Sequence, residues 1–198
     1  MYAADLALFH WINGLAGRWS ALDFVMVAIT RTSPIIFAAV LVACWARWRA
    51  SWQRAAALAG VAALLALGLG QLGNLAFPRA RPFVVTETTV LIPHAPDPSF
   101  PSDHAILAFA VAAVLVTMSR TLGAWLAALG VLVLISRVFV GAHFPADVLG
   151  GAAIGVLGAW ITLRVARIPA IGNLIDAVFA ILRRLKLAAP VSRPEQTR

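Results

Sequence analysis

The chain contains a single cysteine, Cys44. An internal disulfide framework is therefore excluded, and so is any metal cage built from thiolates. Cys44 sits in an apolar run and reads as a small buried hydrophobe. Charge is scarce as well. Only 12% of residues are charged while 62% are hydrophobic, far above the roughly 45–50% apolar share of a soluble domain. Five segments carry no Asp, Glu, Lys or Arg: 32–46, 55–78, 105–119, 121–136 and 148–163. The chain has no internal repeat and no linker that would separate soluble domains.

What is there in abundance is apolar sequence in long runs. A bilayer span takes about 20 mainly apolar residues, within a range near 17–25. Segment 55–78 meets that length alone; the others reach it by taking in an interfacial arginine or polar residue at their ends. The expected fold is all-α, a polytopic transmembrane helix bundle of five to six spans. Residues 1–32 form either a sixth span or a pair of interfacial helices, and 33–167 form the core. The first residues lack the basic start and the cleavage site of a signal peptide. In 168–198, apolar residues recur at helical spacing over 171–182, followed by basic ones. That segment reads as an amphipathic helix on the inner membrane surface with a disordered tail after Pro190. A packing helix or a dimer contact is the alternative.

The net charge of +8 is placed so as to argue against nucleic acid as a partner. Arg47, Arg49 and Arg54 lie in one short link, Arg120 in another, and a basic run follows the last apolar segment. Such an excess marks cytoplasmic loops. Alternation then puts residues 79–102, 137–147 and the region around 31–33 on the outer face. Two of the four histidines, His94 and His143, fall in those outer loops, and a third, His104, follows two residues after one of them. The implied surroundings are a lipid bilayer, with the oligomeric state open.

Three outer stretches carry chemistry. In "NLAFPRARPF", Arg79 and Arg81 stand between two stiffening prolines, Pro78 and Pro82. Alone, the pair reads as interfacial arginines. In "SFPSDHA", Ser102 stands where a helix N-cap belongs. The helix start that follows, with Asp103 and His104 in its first turn, offers an anion site. Alone, it reads as an ordinary helix start. In "SRVFVGAHFPADVLGG", Arg137 ends a span, Gly141 allows a sharp turn and Pro145 suits the first position of the next helix. Asp147 follows His143 by four residues, so its carboxylate is placed to fix the imidazole tautomer. Alone, that pair reads as a structural hydrogen bond. Taken together, two histidines, three arginines and an aspartate converge at helix ends on one membrane face. Ionisable groups there are costly and mark function. Arginines and helix N-termini bind phosphoryl oxygens, while a held histidine is a nucleophile and a second one an acid–base partner. No metal-ligand set and no cofactor are implied.

The motifs "RARP", "PSDH" and "SRVFVGAHFPAD" resemble the three signatures of the type-2 phosphatidic acid phosphatase family. The third is matched in full, and the second by Pro101, Ser102 and His104. The first is matched at Arg81 and Pro82 only. Its usual lysine falls on Asn74, and the one lysine of the chain is Lys186. Beyond the motifs, most of the chain is similar to the bacterial undecaprenyl-diphosphatases of the bacitracin-resistance type. The resemblance implies hydrolysis of a lipid diphosphate through a phosphohistidine. His143 would be the nucleophile, Asp147 its orienter and His104 the general acid and base. Arg81, Arg137, Ser102 and the backbone at Asp103 would hold phosphoryl oxygens. Asn74 would donate a neutral hydrogen bond in place of the lysine, with Arg79 restoring part of the charge. The same fold acting on phosphatidylglycerol phosphate, phosphatidate or lipid A is the alternative reading, and a non-catalytic lipid-binding or transport protein the third. His94 and Asp97 lie in no family motif.

Overall fold

In lipid every backbone N–H and C=O must be bonded within the protein, so apolar runs of this length become helices. The computed structural model describes residues 2–190, and in them every regular element is a helix. These are α1 (Tyr2–Asn13), α2 (Ser20–Ala46), α3 (Ala50–Ala76), α4 (Pro82–Val85), α5 (Asp103–Leu115), α6 (Arg120–Phe139), α7 (Pro145–Val165) and α8 (Pro169–Arg184). By length and composition α2, α3, α6 and α7 can cross a membrane, while α5 is apolar but shorter at 13 residues. The bundle thus has four long spans and one short one.

The N-terminal region differs from expectation. At 12 residues, α1 is too short to span and packs against α6 and α7. Residues 20–32 belong to α2, so the division expected at residue 32 falls inside one continuous helix. The region 31–33, expected in an outer loop, is mid-helix for the same reason. Pro34 hides that continuity in the sequence, yet α2 runs through it. A proline costs one ladder hydrogen bond, which neighbouring groups in a membrane helix can make good.

The short α5 is the centre of the bundle, packed on α3, α6 and α7. Its residues Ala105, Ile106, Ala108, Val111 and Leu115 are fully enclosed. Small residues let the backbones close up, the usual basis of helix association in lipid. On α7, a side chain at Gly151 would come within 2.6 Å of the Ser102 carbonyl, one at Gly155 within 2.5 Å of the Ile106 carbonyl, and one at Gly158 within 2.7 Å of Ala66. In contrast, α2 turns Phe24, Ile35 and Val42 outward.

The basic links and α8 share one end of the bundle. Arg54 of α3 pairs with Asp176 of α8, Phe179 of α8 packs on Trp45, and the Gln53 side chain holds the Ala189 N–H at 2.8 Å. Helix α8 also leaves Leu174, Val178 and Ile181 exposed, so it both packs on the bundle and presents an apolar face. The disordered tail expected after Pro190 lies outside the described residues. The opposite end holds α1, the 77–102 loop and the α6–α7 turn. Gly151→Ala should cost about 1–3 kcal/mol by overpacking against a backbone carbonyl. Gly60→Ala, with open space around it, should cost nothing. Thermal unfolding of the two variants in detergent checks the contrast.

Candidate active site

The α6–α7 turn sets the site's centre. Gly141 adopts φ +81°, and a side chain there would stand 2.7 Å from the Thr89 carbonyl, so only glycine lets the turn approach the long loop. Pro145 then opens α7. His143, between them, is almost fully buried. Its Nδ1 lies 2.8 Å from the carbonyl oxygen of Ser99. A carbonyl only accepts, so Nδ1 carries the proton and Nε2 keeps its lone pair. Nε2 faces Nη2 of Arg137 at 3.1 Å and Nη1 of Arg81 at 3.5 Å.

This arrangement corrects the expected role of Asp147. The Asp147 carboxylate is 4.0 Å from His143 Nδ1, beyond a hydrogen bond. It is wholly buried and bound elsewhere. Oδ2 accepts from the Ser99 hydroxyl at 2.6 Å and from the Phe144 N–H at 2.8 Å, and Oδ1 accepts from Arg79 Nη1 at 2.9 Å. Ser99 therefore stands between the two, its carbonyl on the imidazole and its hydroxyl on the carboxylate. Sequence reasoning missed Ser99 because its main contribution is a carbonyl, which every residue has.

Arg81 and Arg137 come together beside His143, as expected. Each has a partner that the motifs do not include. Arg81 donates through Nε and Nη2 to the Asp97 carboxylate (2.9 and 3.2 Å) and through Nη1 to the Ala142 carbonyl at 3.0 Å. Arg137 donates through Nη2 to His94 Nε2 at 2.9 Å, while His94 Nδ1 bonds the Ile92 carbonyl. His94 and Asp97 are thus in contact with the cluster. The abundance of polar residues in their loop was the one signal available.

Ser102 precedes α5 but its hydroxyl caps nothing; it is fully buried without a hydrogen-bond partner, as is Arg137 Nε. Asp103 is exposed at the rim, within electrostatic range of Arg81 and Arg137. His104 is half-buried, within range of Arg137, Arg81 and His143, and lies against the Thr30 backbone. Pro34 has no N–H to give the Thr30 carbonyl four residues earlier. That carbonyl accepts instead from Ser33 Oγ at 3.3 Å and stays available to the His104 side.

Two residues are placed differently from expectation. Asn74 lies in the last turn of α3, its amide directed to Gln71 at 3.3 Å and not to the arginine pair. Arg79 is turned to the rear of His143, where Asp147 and Asp5 take its two terminal nitrogens and Phe144 lies 4.1 Å under its guanidinium. Neither restores the charge of the usual lysine beside Arg81.

The electrostatics favour neutral imidazoles. Burial, then the charges of Arg137 and Arg81, hold His143 well below the ordinary imidazole value of 6.5. Burial and Arg137 lower His94 in the same direction. Asp97 is held below the usual carboxylate range by its hydrogen bonds to Arg81. The site is therefore a lone-pair nitrogen flanked by two guanidiniums and a helix start, suited to attack on a polyanionic phosphorus centre. Among the described residues no cluster of three His, Cys, Asp or Glu side chains is placed to share a metal ion.

Comparison with known proteins agrees with that chemistry. The family profile described as the PAP2 superfamily matches residues 54–168. The chain is 32% identical over 180 residues to the undecaprenyl-diphosphatase BcrC of Bacillus subtilis, covering 90% of this chain and 93% of that one. Among solved structures, Aquifex aeolicus LpxE superposes with a TM-score of 0.70 at 27% identity, over 80% of this chain and 94% of that one. The PAP2-type phosphatidylglycerolphosphate phosphatase of Bacillus subtilis gives 0.65 at 26% identity, over 81% and 83%.

Two outcomes follow from the geometry. Ser99→Ala removes a hydrogen bond to a buried carboxylate and should cost about 1.5–3 kcal/mol, read as a lower Tm in detergent. Both imidazoles have folded pKa values below their unfolded ones, so their stability contribution is whole above pH 6.5 and is lost as pH falls below it. Tm should drop on acidification through that range, and less steeply in His94→Gln.

Proposed function

The chain belongs to the PAP2 superfamily, and from that premise we propose that it hydrolyses undecaprenyl diphosphate to undecaprenyl phosphate. The named activity of the Bacillus subtilis relative supports this substrate, and coverage of nine-tenths of both chains supports carrying it over. The observation that carries the chemistry is His143: Nδ1 is committed to a carbonyl, and Nε2 points between two guanidiniums.

Arg137, Arg81, the Ser102 hydroxyl and the N–H groups at the start of α5 hold the terminal phosphoryl oxygens. Ser102 Oγ and Arg137 Nε are buried donors that gain a partner in the anion. Asp97 is 58% exposed, so its pairing with Arg81 is worth on the order of 1 kcal/mol or less, and a phosphate oxygen can displace it. His143 Nε2 then attacks phosphorus as the bridging P–O bond breaks in line. Undecaprenyl phosphate leaves with its oxygen protonated by His104, which enters the step as the imidazolium once the substrate's negative charge offsets Arg81 and Arg137 and becomes neutral as it gives up that proton. In the second step His104 takes a proton from water, the oxygen attacks the phosphohistidine, and the P–N bond breaks to release inorganic phosphate. Asp147 acts through Ser99 and the backbone, holding the turn that presents His143. The protein is a multi-pass membrane protein; we place it in the bacterial inner membrane with the site facing outward, since the basic links and α8 share the opposite end.

Because a phosphate monoester leaves more easily than an alkoxide, His104 has the lighter task. In purified protein, His143→Ala should abolish phosphate release from undecaprenyl diphosphate. His104→Ala should leave measurable activity, slower by about 10²–10⁴. Equal and complete loss in both would count against this division of labour. Likeness to the phosphatidylglycerolphosphate phosphatase makes phosphatidylglycerol phosphate the competing substrate. Higher kcat/KM on that lipid in the same assay would replace the first reading.

A further inference from the structure

Helix α1 lies wholly outside the residues matched by the family profile, which begins at 54. Even so, one stripe of it meets the site at three levels. Asp5, Phe9 and Asn13 are spaced four apart and so share a face. Asn13, buried, donates from Nδ2 to the carbonyls of Thr89 and Phe139 (2.9 and 2.8 Å) and accepts the Thr89 N–H at 2.9 Å. It thereby ties the long loop to the end of α6. Phe9, fully buried, packs on Phe144 with ring centroids 5.2 Å apart. Asp5 reaches furthest toward the chemistry.

The Asp5 carboxylate is divided between two groups. Oδ1 accepts the Ala146 N–H in the first turn of α7 at 2.8 Å, and Oδ2 accepts from Arg79 Nη2 at 2.5 Å. The other terminal nitrogen of Arg79 donates to Asp147 Oδ1 at 2.9 Å. The order is Asp5–Arg79–Asp147–Ser99–His143, which joins α1, the 77–102 loop, the first turn of α7 and the α6–α7 turn. The side chain of Asp5 is only 10% exposed, so this charge is not spent on solvent. The arrangement also balances. Arg79 carries one positive charge between two carboxylates, so Asp147 shares the guanidinium and keeps its hold on Ser99 and the Phe144 N–H. Remove the Asp5 charge and the guanidinium turns wholly to Asp147, drawing that carboxylate away from the Ser99 hydroxyl.

We propose that Asp5 is a positioning residue of the active site, acting through Arg79 and Asp147 to hold Ser99 and the His143 turn in register for attack. It touches neither substrate nor reacting atoms. This rests on the reading of His143 as the nucleophile.

The test is a double-mutant cycle in the full-length protein with Asp5→Asn, Arg79→Gln and the pair, assayed for phosphate release across a panel of undecaprenyl diphosphate, phosphatidylglycerol phosphate and phosphatidate. Asn is isosteric and keeps an acceptor for the Ala146 N–H, so the fold is retained. Asp5→Asn should lower kcat about tenfold, the order of one hydrogen bond to a charged group, with KM changed less than twofold and Tm within a few degrees of the wild type. The pair should lose no more than Arg79→Gln alone, because both changes cut one chain of contacts. Asp5→Glu, which keeps the charge, should recover part of kcat. Unchanged kcat in Asp5→Asn, multiplicative losses in the pair, or a loss of kcat that tracks Tm would each overturn the proposal. Its failure and that of the premise are told apart by His143→Ala. An active His143→Ala removes the premise and the proposal with it, as does a wild-type protein inactive on the whole panel. An inactive His143→Ala beside a fully active Asp5→Asn removes the proposal alone.

Discussion

A fully buried carboxylate in an apolar bundle is tolerated only when its oxygens are all engaged, and Asp147 is such a group. Its partners come from three places: the Phe144 N–H beside it in sequence, the Ser99 hydroxyl from the long loop, and Arg79 from the segment after α3. Breaking a buried pair by removing one partner typically costs about 3–5 kcal/mol, more than any surface contact in this molecule can supply. The desolvation of one carboxylate therefore holds the long loop, the α3 end and the α7 start in a fixed relation. The His143 turn takes its position from theirs.

The same accounting explains how two arginines persist at 7% and 3% exposure beside each other. Arg81 is neutralised by an exposed carboxylate, Asp97, and Arg137 bonds an uncharged imidazole, His94. Both partners are weak holders of a guanidinium compared with a phosphate dianion. The resting site is stable enough to fold, yet its positive charge is left for an anionic substrate. Burial disfavours a charge at the imidazole between them, the two adjacent cations add to that, and so it stays neutral with its lone pair intact.

Much of this was legible in the chain. The charge-free runs announced helices, and the basic links sorted them by side. The spacing of Arg137, His143 and Asp147 around Gly141 and Pro145 marked a turn between two spans. Other features were not legible for definite physical reasons. Pro34 reads as a breaker, yet α2 passes through it because a bundle can supply the missing bond. Asn74 sits at the position of a motif lysine, and motif alignment cannot say that its amide turns back to Gln71. Arg79 lies two residues from Arg81, and alternation along an extended segment would set both on one face, yet Arg79 turns to Asp147 and Asp5 while Arg81 turns to Nε2 of His143. Asp5 is more than 130 residues from Asp147, with no pattern connecting them.

The sequence by itself determined most of the helical runs and which groups are available to react, because helix formation in lipid and the chemistry of His, Arg and Asp are local properties. Only the tertiary structure decided how those groups are wired. A hydrogen bond depends on distances of a few tenths of an ångström between segments far apart in the chain. Ser99 stands between Asp147 and His143, and α1 reaches the site through Asp5, because the bundle brings these ends together.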